Sequence, residues 1–96
     1  MLTKDQILSK LKELKPSLYS EYAVKEIGIF GWYAAGNPSD DSDIDIIIEL
    51  DRPIGWKYFA LELYLEKTFG RKIDLVTKNA LKDQIKDNIL NQIYYA

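Results

Sequence analysis

The sequence predicts an α/β (α+β) fold, a small mixed β-sheet flanked by helices, and three observations carry that prediction. Val24 to Phe30 and Lys72 to Thr77 are short runs with strand-like alternation, and Ile44 to Leu50 is an isoleucine-rich run between them. Three longer stretches repeat apolar residues at helical spacing. The order is helix, strand, loop, strand, helix, strand, helix, in 96 residues read as one domain (residues 1–96) with no room for a second, substrate-binding domain.

The first helix starts at Thr3-Lys4-Asp5-Gln6, which fits a capping box: the Thr3 hydroxyl and the Gln6 side chain satisfy backbone donors reciprocally. Ile7, Leu8, Leu11 and Leu14 follow on one face, and the helix is expected to end near Pro16, with Ser17 to Tyr22 as a weaker continuation. Val24 to Phe30 alternates at first and turns apolar at Ile29-Phe30. The run Ile46-Ile47-Ile48 in the second strand predicts cover on both faces.

From Gly55 to Phe69, Trp56, Phe59, Ala60 and Leu63, with the stem of Lys67 as a candidate extension, form a stripe read as core, and Gly70 is the stop. In the third strand Ile73 and Leu75 face one way, Asp74 and Val76 the other. Asp74 is thus a lone acid in an apolar strand. A last helix is expected from Asn79 to Tyr94, its core face marked by Leu81, Ile85, Ile89 and Ile93.

Composition narrows the chemistry. With no cysteine and no histidine, thiolate chemistry, histidine acid-base catalysis and ordinary zinc sites are excluded. The net charge is -2, and residues 37–49 hold five acids and no base, a surface that repels a phosphate backbone, so nucleic acid is not the expected partner. The longest uncharged stretch, Gly28 to Ser39, is too short and polar to span a bilayer, and no targeting sequence opens the chain, so a cytoplasmic location is expected and no membrane partner.

The stretch Gly31 to Asp45, GWYAAGNPSDDSDID, is the one the rest of the chain is built to present. Strand side chains alternate, so Asp43 and Asp45 share a face while Ile44, Ile46 and Ile48 take the other. Two carboxylates about 4 Å apart repel by roughly 4 kcal/mol at an effective dielectric near 20. A cation, a proton or solvent must relieve that repulsion, and magnesium is the natural candidate because it takes hard oxygen ligands. The bland alternative is a solvated acidic turn.

Two motif readings fail on counting. Gly31-xxxx-Gly36 lacks the Lys and Ser or Thr that a P-loop places directly after its second glycine. A calcium loop starting at Asp41 would put Ile46 at the obligatory glycine and Arg52 at the final glutamate. A third pattern survives: a glycine turn after a strand, a D-x-D pair on the next, and a third acid on a later one.

On these residues the chain resembles the minimal nucleotidyltransferases of the DNA polymerase beta superfamily. Their signature is Gly-Ser, ten residues, then Asp-x-Asp; here Gly31-Trp32, Tyr33 to Ser42, and Asp43-Ile44-Asp45 take those places. LKELKP before the first strand, IFG at its end, DSDIDIII, GRKIDLVT and the closing IYYA extend the likeness over nearly the whole chain. The resemblance implies a polymerase-beta-like fold with Asp43, Asp45 and Asp74 as catalytic and metal-binding residues for two magnesium ions. It also implies Gly31, Trp32, Gly36 and Ser42 on the nucleotide side and ATP as substrate. By the same resemblance, AMP passes to a hydroxyl acceptor, with a tyrosine of a small helical HEPN-domain protein, partner in a toxin-antitoxin pair, as the leading one.

Two departures keep a second reading open. Trp32 stands where the family has serine, and Ala35 where many members have arginine, so a hydroxyl donor and a positive charge are missing. The alternative is a catalytically weakened module that acts as a non-enzymatic, antitoxin-like binding partner. Trp32 itself has three readings: a core or partner-contacting aromatic, a plug, or a platform for the base. Lys78 and Lys82 are candidates to reach phosphate, with solvated surface as their alternative, and a homo-oligomer is a possible state.

Overall fold

The computed structural model describes residues 2–31, 43–81 and 93–96. Its elements are α1 (Lys4–Tyr22), β1 (Val24–Phe30), β2 (Ile44–Leu50), α2 (Lys57–Phe69), β3 (Ile73–Thr77), α3 (Lys78–Leu81) and β4 (Tyr94–Tyr95). The strands form one sheet in the order β3-β2-β1-β4. β1 runs antiparallel to β2 and β4, while β2 and β3 are parallel with α2 between them in sequence. This is the mixed sheet with helices that the strand pattern predicts.

One face of the sheet builds the core. Ile27, Ile29, Ile44, Ile46, Ile48, Ile73 and Leu75 meet Ile7, Leu11 and Leu18 of α1 and Leu61 and Leu65 of α2. Alternation sends Asp45, Ile47, Glu49, Asp74 and Val76 to the other face. Ile47 is fully buried there too, and α3 packs against β2 and β3. The run of three isoleucines therefore has cover on both faces.

The capping box at Thr3 forms as read: the Gln6 amide donates to Thr3 Oγ1 at 3.1 Å and the Thr3 amide to Gln6 Oε1 at 2.9 Å. The helix does not end near Pro16 but continues through it to Tyr22. Proline costs the helix one amide bond, and tertiary contacts offset this: Leu18 is wholly buried, and the Tyr22 ring stacks on Tyr64 with centroids 6.2 Å apart. Ala23 then closes the helix in the left-handed region at φ 56°.

Two further expectations are corrected. The stripe Trp56, Phe59, Ala60, Leu63 is not core: Trp56 is 86% exposed, Phe59 59% and Leu63 57%, and α2 buries Leu61 and Leu65 instead. The C-terminal helix does not reach Tyr94, because Tyr94–Tyr95 is a strand beside Gly28 and Ile29. Gly28 makes that pairing possible: a Cβ there would come within 2.8 Å of the Tyr94 carbonyl oxygen and 2.9 Å of Ile93 Cγ2. The Ala96 amide donates to the Ile27 carbonyl at 2.9 Å, and Lys4 Nζ lies 4.1 Å over the Tyr94 ring. Residues 82–92 of the expected helix, with Lys82, Ile85 and Ile89, lie outside the described residues. Among the described residues no helix is long and apolar enough to cross a membrane.

Candidate active site

Parallel pairing of β2 with β3 sets Asp45 opposite Asp74, with Ile44 opposite Ile73 and Ile46 opposite Leu75. The apolar neighbours of both acids are buried in the core, so alternation turns both carboxylates to the other face. Asp43 is exposed just before β2, two residues from Asp45. Sequence alone separates Asp45 and Asp74 by a helix and a turn; the register brings them side by side.

The electrostatics record the crowding. Burial pushes the Asp45 carboxyl up to about 6, and the Asp74 charge, a hydrogen bond with Asp74 and the Asp43 charge add to the rise. Every one of these influences opposes ionisation. Asp45 therefore holds its proton into the weakly acidic range while no cation is near.

Gly31 completes the site from β1. It follows Phe30, the register partner of Asp45, and has φ 75°, a conformation that L side chains rarely adopt. A Cβ at this position would overlap the Asp45 Oδ2 oxygen. The glycine is thus required by the carboxylate behind it as well as by the bend. Trp32, Ala35, Gly36 and Ser42 lie outside the described residues.

Sequence reading missed two residues of α2 that hold β3. The Tyr58 hydroxyl donates to the Leu75 carbonyl, and a Glu66 carboxylate oxygen accepts from the Ile73 amide at 3.4 Å. These bonds flank Asp74 on both sides. Burial, then the charges of Glu62 and Asp74, hold the Tyr58 hydroxyl in its neutral, donating form. The available signal was a polar pair two helical turns apart, bordering the buried Leu61 and Leu65.

A cleft of about 680 Å³ lies elsewhere, lined at the far ends of β2 and β3 by Leu50, Arg52, Pro53, Thr77, Asn79 and Tyr95. Glu49 and Asp51 also line it, but Asp43, Asp45 and Asp74 do not. Lys78 borders it but is occupied: its Nζ contacts Glu26 at 2.7 Å and Glu49 at 3.3 Å, and lies 4.8 Å over the Tyr95 ring. This lysine serves those glutamates and is not directed at the site of Asp45.

Among the described residues no three acids are gathered closely enough to cage a metal by themselves. The donor set nevertheless suits magnesium, which is commonly held by one or two carboxylates and completes its shell with water and substrate phosphates. The mutual repulsion of Asp45 and Asp74 is what a divalent cation would relieve.

Comparison with known proteins gives concordant results. A family model described as Nucleotidyltransferase domain matches residues 5–95. The chain is 40% identical over 96 residues to Protein adenylyltransferase MntA of Thermococcus cleftensis, covering 99% of this chain and 97% of that one. A provisionally named protein adenylyltransferase of Methanocaldococcus jannaschii is 44% identical over 82 residues, covering 84% and 95%. Among solved structures, one provisionally described as a minimal nucleotidyltransferase superposes with TM-score 0.79 at 20% identity, covering 97% and 95%. Another is the toxin-antitoxin pair MntA-HpeT with two aspartates changed to glutamate, at TM-score 0.66 and 20% identity, covering 98% and 72%.

Proposed function

We propose a function on the premise that the chain belongs to the nucleotidyltransferase domain family, as a minimal-type member of the DNA polymerase beta superfamily. The proposed reaction is transfer of AMP from ATP to a hydroxyl of a partner protein, with a tyrosine as acceptor and magnesium as the metal. Adenylyl transfer as the class of chemistry is supported by the names of the relatives, which are protein adenylyltransferases.

The observation that best supports the finer reading is the in-register pair Asp45 and Asp74, with the Asp45 carboxyl raised to about 6 by burial first and then by Asp74 and the charge of Asp43. In this proposal Asp43 and Asp45 hold the metal ions, two by family resemblance, and Asp74 contributes to one of them. Bound magnesium supplies charge neutralisation at the phosphates and at the reacting phosphorus. Asp74 orients the acceptor hydroxyl and takes its proton as the oxygen bonds to the α-phosphorus. The bond from that phosphorus to the bridging oxygen breaks, and pyrophosphate leaves. Gly31 keeps the turn close to Asp45 without a side chain in the way.

The proposed acceptor is a tyrosine on a small helical HEPN-type protein. This partner is proposed from the family resemblance, and the toxin-antitoxin assembly of a structural neighbour supports it. The test is incubation of the purified chain with α-labelled ATP, magnesium and the candidate partner, followed by mass spectrometry of the partner. Label on a partner tyrosine, absent with Asp45→Asn, is expected. A partner that stays unlabelled yet is neutralised equally well by Asp45→Asn would establish the binding-module alternative, which the missing serine and arginine at Trp32 and Ala35 favour.

A further inference from the structure

β3 is an edge strand of five residues, and β2 is its only strand neighbour among the described residues. Along a strand the amide and carbonyl of one residue point to one side and those of the next residue to the other. The Lys72 carbonyl accepts from the Ile44 amide at 3.0 Å, so Lys72, Asp74 and Val76 direct their backbone groups toward β2, and Ile73 and Leu75 direct theirs outward. α2 takes one outward group on each side of Asp74. Glu66 accepts from the Ile73 amide at 3.4 Å, and the Tyr58 hydroxyl donates to the Leu75 carbonyl. Asp74 is thus held from β2 through its own peptide groups and from α2 through those of its neighbours.

The second hold answers a specific stress. Asp45 and Asp74 repel when no cation lies between them, and of their two strands the one at the edge is freer to yield. Magnesium requires ligand oxygens at about 2.0 to 2.1 Å in near-octahedral order, so even a small shift of β3 spoils a shared ion. We propose that Tyr58 and Glu66 are positioning residues, which hold β3 against this repulsion and set the Asp74 carboxylate where it can share a cation with Asp45. The inference rests on the proposed function, which makes Asp45 and Asp74 metal ligands. The helix that carries both residues is itself anchored by Leu61 and Leu65, which lie between them in sequence and are buried in the core. Glu66 acts here only as an acceptor, so a neutral acceptor can replace it and an apolar side chain cannot.

The test titrates manganese, which suits the same oxygen ligands, into the full chain at neutral pH and reads the free ion by paramagnetic resonance. Tyr58→Phe removes one hydroxyl and keeps the ring edge-on to Phe59. It should weaken manganese binding at least about tenfold, the loss typical when a group that orients a metal ligand is removed. Glu66→Leu should do the same, whereas Glu66→Gln, which still accepts from the Ile73 amide, should match the native chain. Transfer to the partner protein at saturating magnesium gives a second reading. In Tyr58→Phe kcat should fall at least about tenfold with KM for ATP unchanged, because Gly31 on β1 is untouched. A merely structural role lowers the melting temperature and leaves manganese affinity and kcat alone.

Native affinity and native kcat in Tyr58→Phe, with both lost in Asp45→Asn, overturn the inference and leave the proposed function standing. So does a Glu66→Gln variant as impaired as Glu66→Leu. A native chain that neither binds manganese nor transfers AMP, or an Asp45→Asn variant that does both like the native, overturns the proposed function and the inference with it.

Discussion

The two ends of the sheet each set carboxylates opposite one another on neighbouring strands, and they resolve the conflict differently. At one end Glu26 of β1 faces Glu49 of β2, and Lys78 bridges them. Its hydrogen bond holds the Glu26 carboxyl below the usual range, and the same bond is the largest cause raising the lysine above its own. At the other end Asp45 faces Asp74 with no lysine between them among the described residues, and the Asp45 carboxyl rises to about 6. Among the described residues one pair has its own counterion and the other has none, which agrees with the proposal that the second pair takes a cation from solution.

Removing the acid at the open end gives the largest expected effect. Asp45→Asn should lower AMP transfer at least about a hundredfold, since metal charge stabilisation is worth several kcal/mol. The same variant should melt higher than the native domain. A carboxyl raised from its ordinary 3.8 to about 6 is protonated in both folded and unfolded chains below pH 4, so its ionisation costs the fold nothing there. Between pH 4 and 6 the unfolded chain ionises first and stability falls, and above pH 6 the loss is complete. The gain in Asp45→Asn should therefore appear in melting scans above pH 6 and vanish near pH 4.

Gly31→Ala sharpens the contrast from the backbone side. It combines a strained positive φ with overlap on Asp45 Oδ2, so transfer should fall more than tenfold and stability by about 1 to 2 kcal/mol. In a domain of this size each kcal/mol is roughly 4 to 8 °C of melting temperature. Magnesium should raise the melting temperature of the native chain above pH 6, lose this effect as Asp45 protonates below it, and do nothing for Asp45→Asn.

The smallest effect belongs to the self-neutralised end. Lys78→Met leaves two glutamates facing each other, but these side chains are partly exposed, so the loss should be about 0.5 to 1 kcal/mol at neutral pH. Glu26 gains stability from its lysine only above its ordinary pKa of 4.5, and loses it as pH falls through the lowered folded value. The native advantage over Lys78→Met should shrink accordingly in acid, and adding Glu26→Gln should recover most of it at neutral pH. Transfer should be untouched by either change.

The pattern of apolar alternation made the strands and the face taken by each acid legible before any coordinates, because a lone acid in KIDLVT can face only away from Ile73 and Leu75, whereas the side-by-side placing of Asp45 and Asp74 comes from the parallel register of β2 and β3. It could not choose between the two stripes of α2. Periodicity marks Trp56, Phe59 and Leu63 as clearly as Leu61 and Leu65, and only docking against the sheet selects the aliphatic pair. Pro16 and Tyr94 failed for a related reason: burial of Leu18 carries a helix through a proline, and the space over Gly28 turns an apparent helix end into a strand. Tyr58 and Glu66 look like surface polar residues until β3 lies beneath them.

Those last two side chains have a further consequence. A strand that slips by one position turns all its residues over, which here would drive Asp74 into the apolar interior and Leu75 into water. β3 is an edge strand, where such shifts meet least resistance, yet its outward amide at Ile73 and carbonyl at Leu75 are already claimed by α2. The helix thus acts as a ratchet on the rim, and it also denies that rim to any foreign strand seeking to zip onto it.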